Sequence, residues 1–349
     1  MSRKTNIKLK NVFSAFLAVA LVLSCLTGCS GFTRRPNSFK TDKLHVVCTV
    51  YTAFDFTKNL LKEDAEIVLL MSPGTDVHGF EPSTDDMRLL EGADIIVSSG
   101  AGLETWLNDL LNSIDNKDIY RIDLSSKVEL LTMGETVKEL GEDEEEHEGE
   151  GHESEEAHEE HHNHHGHEHN ANDIDPHIWM SPVNAVNEVT GLYESLNSYY
   201  QKTGVTEEQS ERLTSNYNFY IEKLNLLEED YSKFFNEVAG VELVVSHEAF
   251  GYLCHSYGLT QIAIDGLTSG ESDAKTLRYV IDYIREYNIK YIFYEDLINP
   301  DTARVISEET GCELVALKAL GSISQDDIDN GMDYINAMRY NLEALRVLK

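Results

Sequence analysis

Basic residues are scarce in this sequence of 349 residues, which has 28 Lys and Arg against 62 Asp and Glu and a formal net charge of -34. Nucleic acid is held mainly by Lys and Arg, which displace counterions from its phosphates. The charge balance therefore argues against a nucleic-acid partner. Cations are the partners that such a chain attracts.

Paired cysteines are also missing. Cys48, Cys254 and Cys312 form no C-x-x-C motif, which argues against a thiolate metal site or a redox pair. Cys254 and Cys312 could form a disulfide in an oxidising compartment, and buried free thiols are the equal alternative.

Long apolar runs are confined to the N-terminus. Basic residues there precede the run from Val12 to Leu23, which is too short for a comfortable permanent span and is typical of a secretory signal. The run leads into LTGC ending at Cys29, which resembles a bacterial lipobox. We expect a signal peptide at 1–29, lipidation of Cys29 and a polar tether at 30–42. The protein would then be anchored by lipid to the outer face of the bacterial cytoplasmic membrane.

The mature chain contains eight short apolar runs of strand length that alternate with helical patterns. They are Leu44–Val50, Ile67–Leu70, Ile95–Val97, Ile119–Ile122, Val241–Val245, Gln261–Ile264, Tyr291–Tyr294 and Glu313–Leu317. Such alternation predicts parallel sheets covered by helices on both faces. The apolar spacing also predicts a helix of about 45 Å over Glu207–Val238, between the two groups of four strands.

The predicted fold class is therefore α/β, with two lobes, each a mostly parallel sheet flanked by helices, joined by a long helix. We expect an N-terminal lobe at 43–205, a connecting helix at 206–239 and a C-terminal lobe at 240–349. Other predicted helices are Val183–Tyr200, Ala274–Tyr287, Thr302–Thr310, with Asn299 as cap and Pro300 at the first position, and Ile328–Leu348. Ser83 and Asp86 form the pattern of a capping box.

Three histidines follow predicted strands or turns. His78 lies in GTDVHGFEPS at 74–83, His177 in DPHIWMSP at 175–182, and His247 in SHEAFGY at 246–252. Ligands of open α/β sheets bind beyond the carboxyl ends of the strands, where these histidines are expected to meet. The sequence thus predicts a metal site made of His78, His177 and His247.

An acidic, histidine-rich loop at 141–172 lies within the predicted N-terminal lobe. It holds nine of the fourteen histidines: His147, His152, His158, His161, His162, His164, His165, His167 and His169. Imidazoles beside carboxylates bind zinc weakly at several places, so we expect an auxiliary zinc collector or sensor. The alternative is a solvated insertion without a single function.

Together these motifs resemble the zinc-binding substrate-binding lipoproteins of ABC metal importers, a cluster that also includes manganese and iron binders. The resemblance covers nearly the whole mature chain. It implies that His78, His177 and His247 bind the ion, and that two related lobes are joined by a rigid helix. It also implies delivery to an ABC permease with a separate ATPase. We expect a monomer and no enzyme.

The third histidine helps to choose the metal. Manganese binders of this cluster carry a carboxylate where this chain has His247, and three imidazoles favour Zn²⁺. Relatives often supply a fourth ligand from the region of residues 317–324, yet this chain has no acidic residue or histidine there. Water is the first choice for the fourth ligand. The weaker options are Glu248, Glu295, Asp296 and Asp326.

Three alternatives remain open at this stage. A manganese or iron receptor of the same cluster differs only in its cargo. A surface adhesin could use the metal to stabilise its fold. A zinc hydrolase could hold zinc with three histidines and water, but Gly251 replaces the second histidine of the H-E-x-x-H pattern that His247 and Glu248 begin.

Overall fold

The computed structural model of the protein describes residues 38–138, 172–238, 240–265 and 274–349. The predicted signal peptide with Cys29, and the nine histidines of the acidic loop, lie outside the described residues. Within the described part of the chain, no helix has both the length and the apolar character needed to cross a bilayer.

All eight predicted strands form, and they divide into two lobes. The first lobe contains β1 (Leu44–Cys48), α1 (Tyr51–Leu61), β2 (Ala65–Leu69), α2 (Thr84–Glu91), β3 (Ile95–Ser98), α3 (Leu107–Ser113), β4 (Tyr120–Asp123), α4 (Met133–Thr136) and α5 (Pro182–Thr203). The connecting helix is α6 (Glu207–Phe235). The second lobe contains β5 (Glu242–His247), α7 (Gly251–Tyr257), β6 (Thr260–Asp265), α8 (Ala274–Tyr287), β7 (Tyr291–Glu295), α9 (Asp301–Thr310), β8 (Glu313–Leu317), α10 (Gln325–Asp329) and α11 (Tyr334–Ala344). Single 3₁₀ turns lie at Lys62–Asp64, Leu124–Lys127, Ile178–Met180 and Leu345–Leu348.

The two sheets have the same topology. Their strand orders are β2-β1-β3-β4 and β6-β5-β7-β8, and every pairing is parallel. The predicted parallel α/β lobes are thus confirmed. In each sheet the order reverses between the first and third strands, that is, between β1 and β3 and between β5 and β7. A crevice opens outside the carboxyl ends of the strands at such a point.

The central strands carry continuous apolar sequence because helices cover both faces of each sheet. Val46, Val47 and Cys48 of β1 are fully buried although their side chains alternate between the faces. Leu243, Val244 and Val245 of β5 show the same pattern. The unbroken apolar runs therefore mark the middle of each sheet.

Helix α6 connects the lobes over 29 residues, or about 43 Å. Asn216 Nδ2 donates to the Leu60 carbonyl of α1 at 2.9 Å, and Tyr231 Oη donates to the Met338 carbonyl of α11 at 2.6 Å. One helix thus contacts both lobes. The helix ends at Phe235 rather than at Val238, because the chain turns here toward β5.

Two other helix boundaries differ from the prediction. The helix predicted over Ile328–Leu348 is broken into α10, α11 and a 3₁₀ turn, because Gly331 adopts φ +79° and Asp333 caps a new start. Asn299 does not cap α9. Its amide donates to Asp301 Oδ2 at 2.6 Å, and Pro300 occupies the cap position instead of the first helical position.

The cysteines in the described residues are unpaired. Cys48, Cys254 and Cys312 are all buried free thiols, so the disulfide left open for Cys254 and Cys312 does not form. Burial raises the pKa of the Cys48 thiol to about 12. These side chains pack as small apolar groups.

A buried carboxylate lies at the junction of the two lobes. Asp55 of α1 accepts a hydrogen bond from Tyr220 Oη of α6 at 2.9 Å, and the backbone of Tyr334 in α11 also donates to it. Burial first, and then the charge of Asp333, raise the pKa of Asp55 from 3.8 to about 6. Three elements from both lobes therefore meet at one titrating group.

Replacing Asp55 with Asn should change how stability depends on pH. Because the pKa of Asp55 is higher in the folded than in the unfolded protein, its contribution to the free energy of unfolding falls as pH rises from about 4 to about 6. The Asp55→Asn variant lacks this term, so its stability relative to the wild type should improve across that window. Urea unfolding at several pH values measures the difference. A constant difference would contradict the assignment.

Candidate metal centre

The three predicted histidines converge at the crevice of the second sheet. His247 is the last residue of β5, beside the point where the strand order reverses. His78 comes from the loop that follows β2, and His177 begins the 3₁₀ turn before α5. Two ligand candidates thus come from the first lobe and one from the second.

The spacing of the imidazoles suits a single ion. One nitrogen from each of the three rings lies within 4.8 Å of the others. The Nε2 atoms of His78 and His177 are 3.2 Å apart. In a tetrahedral site with metal–nitrogen bonds of about 2.0–2.1 Å, neighbouring donor atoms lie about 3.3 Å apart. The chain thus places the donors at coordination distance.

His177 is oriented by a buried carboxylate that sequence reasoning did not single out. Asp175 Oδ1 accepts the Nδ1–H of the His177 ring and the His177 backbone N–H, both at 2.9 Å. A carboxylate accepts hydrogen bonds only, so the proton is on Nδ1 and the Nε2 lone pair faces the site. Asp175 is 0% and His177 2% exposed, which fixes both rotamers by packing.

Gly251 makes room for Asp175. A Cβ atom at Gly251 would lie 2.5 Å from Asp175 Oδ2 and 2.3 Å from Thr136 Cβ, closer than packed atoms approach. Since Gly251 begins α7, the second lobe packs directly against the carboxylate that orients a first-lobe histidine. The glycine that breaks the H-E-x-x-H pattern is thus a packing residue.

Trp179 closes the base of the site. Its ring lies 5.6 Å from that of His177, its Nε1–H donates to the Ala319 carbonyl at 2.7 Å, and its own carbonyl accepts from Tyr334 Oη at 2.7 Å. A Cβ at Gly321 would contact the indole at 3.1 Å. These contacts lock the His177 segment onto the second lobe.

The loop that carries His78 is held at both ends of its turn. Asp76 Oδ1 accepts the His78 backbone N–H at 3.0 Å. Across the crevice, the Gly74 N–H donates to the Ile323 carbonyl at 2.9 Å and to Ser322 Oγ at 3.0 Å. His78 thus remains half-buried at the mouth of the site, within reach of solvent.

Among the four acidic options for a fourth ligand, Glu295 is the residue that contacts the histidine cluster. Its Oε1 lies 3.6 Å from His247 Nε2 and accepts no hydrogen bond from the described residues. Burial first, and then the charges of Asp296 and Asp76, raise the pKa of Glu295 to about 8. An orphaned carboxylate oxygen, only 9% exposed at residue level, suits a bound cation.

The other three options are placed differently. Asp296 lines the same crevice, but its Oδ2 is held by Lys318 Nζ at 2.6 Å. Glu248 and Asp326 are not among the residues that line the crevice. The nine loop histidines lie outside the described residues, and His255 is exposed on α7.

The crevice has a volume of about 490 Å³ and an acidic wall. Besides the three histidines, its charged lining residues are Asp76, Glu295, Asp296 and Asp301, with no Lys or Arg among the described residues that line it. The surface around the imidazoles thus attracts cations.

Comparison with known proteins shows which family the chain resembles. The family model for periplasmic zinc-uptake complex component A matches residues 46–347 of the chain. The zinc-binding protein AdcA of Streptococcus pyogenes serotype M1 is 33% identical over 306 residues, which cover 87% of this chain and 56% of AdcA. The chain therefore spans about half the length of the AdcA relatives that it matches. The high-affinity zinc uptake system protein ZnuA of Bacillus subtilis (strain 168) is 31% identical over 343 residues, 96% of this chain and 97% of that protein.

A solved structure shares the fold. The crystal structure of the Zn(II)-bound ZnuA-like domain of Streptococcus pneumoniae AdcA superposes with a TM-score of 0.69 at 29% identity. The match covers 88% of this chain and 98% of that domain. The arrangement of two parallel-sheet lobes is therefore the one seen in that crystal structure.

Replacing Asp175 with Asn should weaken metal binding through His177. The carboxylate fixes the orientation and the tautomer of the ring, and loss of such a partner typically costs about 10–100-fold in affinity. Competition with a chromogenic chelator for Zn²⁺ measures the effect. Asp173→Asn, two residues earlier and exposed, is the matched control and should bind as the wild type. Equal affinities for both variants would contradict the role of Asp175.

Proposed function

The chain belongs to the family of periplasmic zinc-uptake complex component A, and from that membership we propose that it is an extracytoplasmic zinc receptor. It captures Zn²⁺ in the crevice between the lobes and delivers it to the permease of an ABC importer. The observation that carries this proposal is the cluster of His78, His177 and His247 at coordination spacing. The zinc-binding relatives support the choice of cargo.

The donor set favours Zn²⁺ over Mn²⁺. Three imidazole nitrogens and one carboxylate oxygen form a borderline site, whereas Mn²⁺ prefers carboxylate, carbonyl and water oxygens. Four ligands also match the tetrahedral preference of Zn²⁺. A manganese receptor would need more oxygen donors than the cluster offers.

We propose Glu295 as the fourth ligand, in preference to the water expected from the sequence. Its oxygen lies at ligand-to-ligand distance from His247 and is otherwise unsatisfied. Binding a dication would compensate the burial of this carboxylate, since a buried charge without a partner is costly.

A receptor of this kind requires a permease and an ATPase as partners. The sequence contains no G-x-x-x-x-G-K motif for nucleotide phosphates, so the ATPase of the importer is a separate protein. We propose a monomer that binds zinc reversibly without turnover and is tethered through lipid on Cys29. The boundaries proposed above, with a signal peptide at 1–29 and lobes at 43–205 and 240–349, belong to the same proposal.

The acidic loop serves in this scheme as an auxiliary zinc collector. Segments before and after the loop pair with each other: Thr132 forms an antiparallel bridge with Ile174, and the Met133 N–H donates to the Asp173 carbonyl at 2.8 Å. After the loop, the described chain resumes at residue 172, three residues before Asp175. That position supports transfer of weakly held zinc toward His177.

Removing Glu295 tests the fourth ligand. Glu295→Gln should lower zinc affinity by about ten-fold or more, since the charged donor is lost while the three imidazoles remain. Asp326→Asn, an exposed acid outside the crevice, is the control. X-ray absorption of the zinc-loaded wild type should show one carboxylate oxygen beside three imidazoles. Unchanged affinity in Glu295→Gln would favour water.

Separate changes distinguish the receptor site from the loop. His177→Ala should lose more than about 100-fold in zinc affinity, because it removes a ligand rather than a ligand's partner. Deleting residues 142–170 should lower total zinc stoichiometry yet leave one tight site in titration calorimetry. His255→Ala is the control for removing an exposed histidine. A tight site that survives His177→Ala and disappears with the loop would overturn the proposal.

A further inference from the structure

A buried lysine is paired with an acid that lines the crevice of the proposed metal centre. Lys318 is the first residue after β8 and is 8% exposed. Asn341 of α11, itself buried, fixes its backbone: Asn341 Oδ1 accepts the Lys318 N–H, and Asn341 Nδ2 donates to the Lys318 carbonyl, both at 2.8 Å. The position of this side chain is thus built by two elements of the second lobe.

The Lys318 ammonium group joins two carboxylates. Its Nζ lies 2.6 Å from Asp296 Oδ2 and 2.9 Å from Asp327 Oδ2. Asp327 is held further by the Ser324 hydroxyl, which donates to Oδ2 at 2.7 Å. Asn341 fixes the backbone of Lys318, and Ser324 fixes Asp327. The ammonium group therefore holds the Asp296 carboxylate in one orientation.

Asp296 is one of the acids that line the crevice of the proposed centre. It directly follows Glu295, and both residues line the crevice. In the register of β7 and β8, Glu295 pairs with Leu317, so Asp296 and Lys318 stand one position beyond the paired residues. The Asp296 N–H donates to the Leu317 carbonyl at 3.1 Å, which keeps the two side chains adjacent.

A second carboxylate would change the character of the site. It would add one or two oxygen donors to three imidazoles and Glu295, which moves the donor set toward the higher oxygen content that Mn²⁺ prefers. We propose that Lys318 is a selectivity-determining residue, because it holds the Asp296 carboxylate out of the coordination sphere and so disfavours Mn²⁺ relative to Zn²⁺. This inference rests on the proposed zinc-receptor function.

A purely structural ion pair makes a different prediction. If Lys318 only stabilises the second lobe, its removal lowers the stability of the metal-free protein and leaves the ratio of Zn²⁺ to Mn²⁺ affinities unchanged. A selectivity role changes that ratio, and the change depends on Asp296 rather than on Asp327.

The test measures Zn²⁺ and Mn²⁺ affinities by competitive titration of the mature chain. In Lys318→Met, the freed carboxylate and the added negative charge should raise Mn²⁺ affinity by about ten-fold more than Zn²⁺ affinity. Lys318→Arg keeps a cation between the two acids and should retain most of the wild-type ratio. Thermal unfolding of the metal-free variants reports any general loss of structure.

Two double variants of equal net charge separate coordination from electrostatics. Lys318→Met with Asp296→Asn should restore the wild-type ratio, whereas Lys318→Met with Asp327→Asn should keep the raised Mn²⁺ affinity. Identical ratios in both double variants, or an unchanged ratio in a folded Lys318→Met, would overturn the proposal. If Lys318→Met does not fold, Lys318→Leu carries the same expectations, because it also removes the group that donates to Asp296.

Failure of this inference is distinguishable from failure of the proposed function. A wild-type protein that does not bind Zn²⁺ tightly refutes the receptor function whatever Lys318 does. Tight Zn²⁺ binding with a ratio that does not respond to Lys318 refutes only the selectivity role.

Discussion

The contact between the Asp175 carboxylate and the His177 ring is the interaction on which the centre depends. It determines which nitrogen of His177 faces the proposed metal site, and it is buried because the second lobe packs over it. That packing requires a glycine at position 251 and an indole at position 179, and both contacts join the two lobes. The geometry of one imidazole is therefore tied to the docking of the lobes. Any change that separates them would release the ligand as well.

The two sheets have the same strand order but use their crevices differently. In the first lobe, Glu104 fills the position beyond β1 and β3: it accepts hydrogen bonds from the Ser99 and Gly100 N–H groups at 2.8 and 3.0 Å, and from the Thr49 hydroxyl. In the second lobe, the ends of β5 and β7 carry His247 and Glu295, and the Glu295 oxygen has no such donors. Because backbone N–H groups already donate to the Glu104 carboxylate, its burial does not require a cation. This difference favours the second sheet as the place of the proposed metal centre, with the first lobe supplying loops.

Sequence reasoning reached the fold and the three histidines but not their surroundings. The eight strands were predictable because buried parallel strands are apolar on both faces, and the histidines because they follow strands or turns within specific motifs. The preference for Glu295 among the four acids was not predictable, since the neighbouring Asp296 is also a carboxylate, and only the structure shows that Glu295 is buried beside His247 while Asp296 is exposed and paired with Lys318. The ion pair between Lys318 and Asp296 depends on the position of the Lys318 backbone. That position is held by Asn341, which lies 23 residues further along the chain. The break at Gly331 was missed for a related reason: the apolar spacing continues across it, and only the backbone conformation ends the helix.

Charge alone cannot make such a protein selective. A chain with a net charge of -34 and an acidic crevice attracts every divalent cation, so its composition sets how readily cations arrive and not which one remains. Discrimination must come from the number and type of donor atoms that can reach one point. In the proposed site, the three clustered imidazoles supply the nitrogen donors, and Glu295 supplies a single oxygen. An acidic crevice offers further carboxylates that would alter the donor set if they coordinated the ion. In the proposal, the Lys318 ammonium group keeps one of them, Asp296, away from the ion and is not itself a ligand. On this proposal the acidic residues and Lys318 have complementary roles: the acids concentrate cations near the crevice, and Lys318, through its ion pairs with Asp296 and Asp327, preserves the donor set that selects among them.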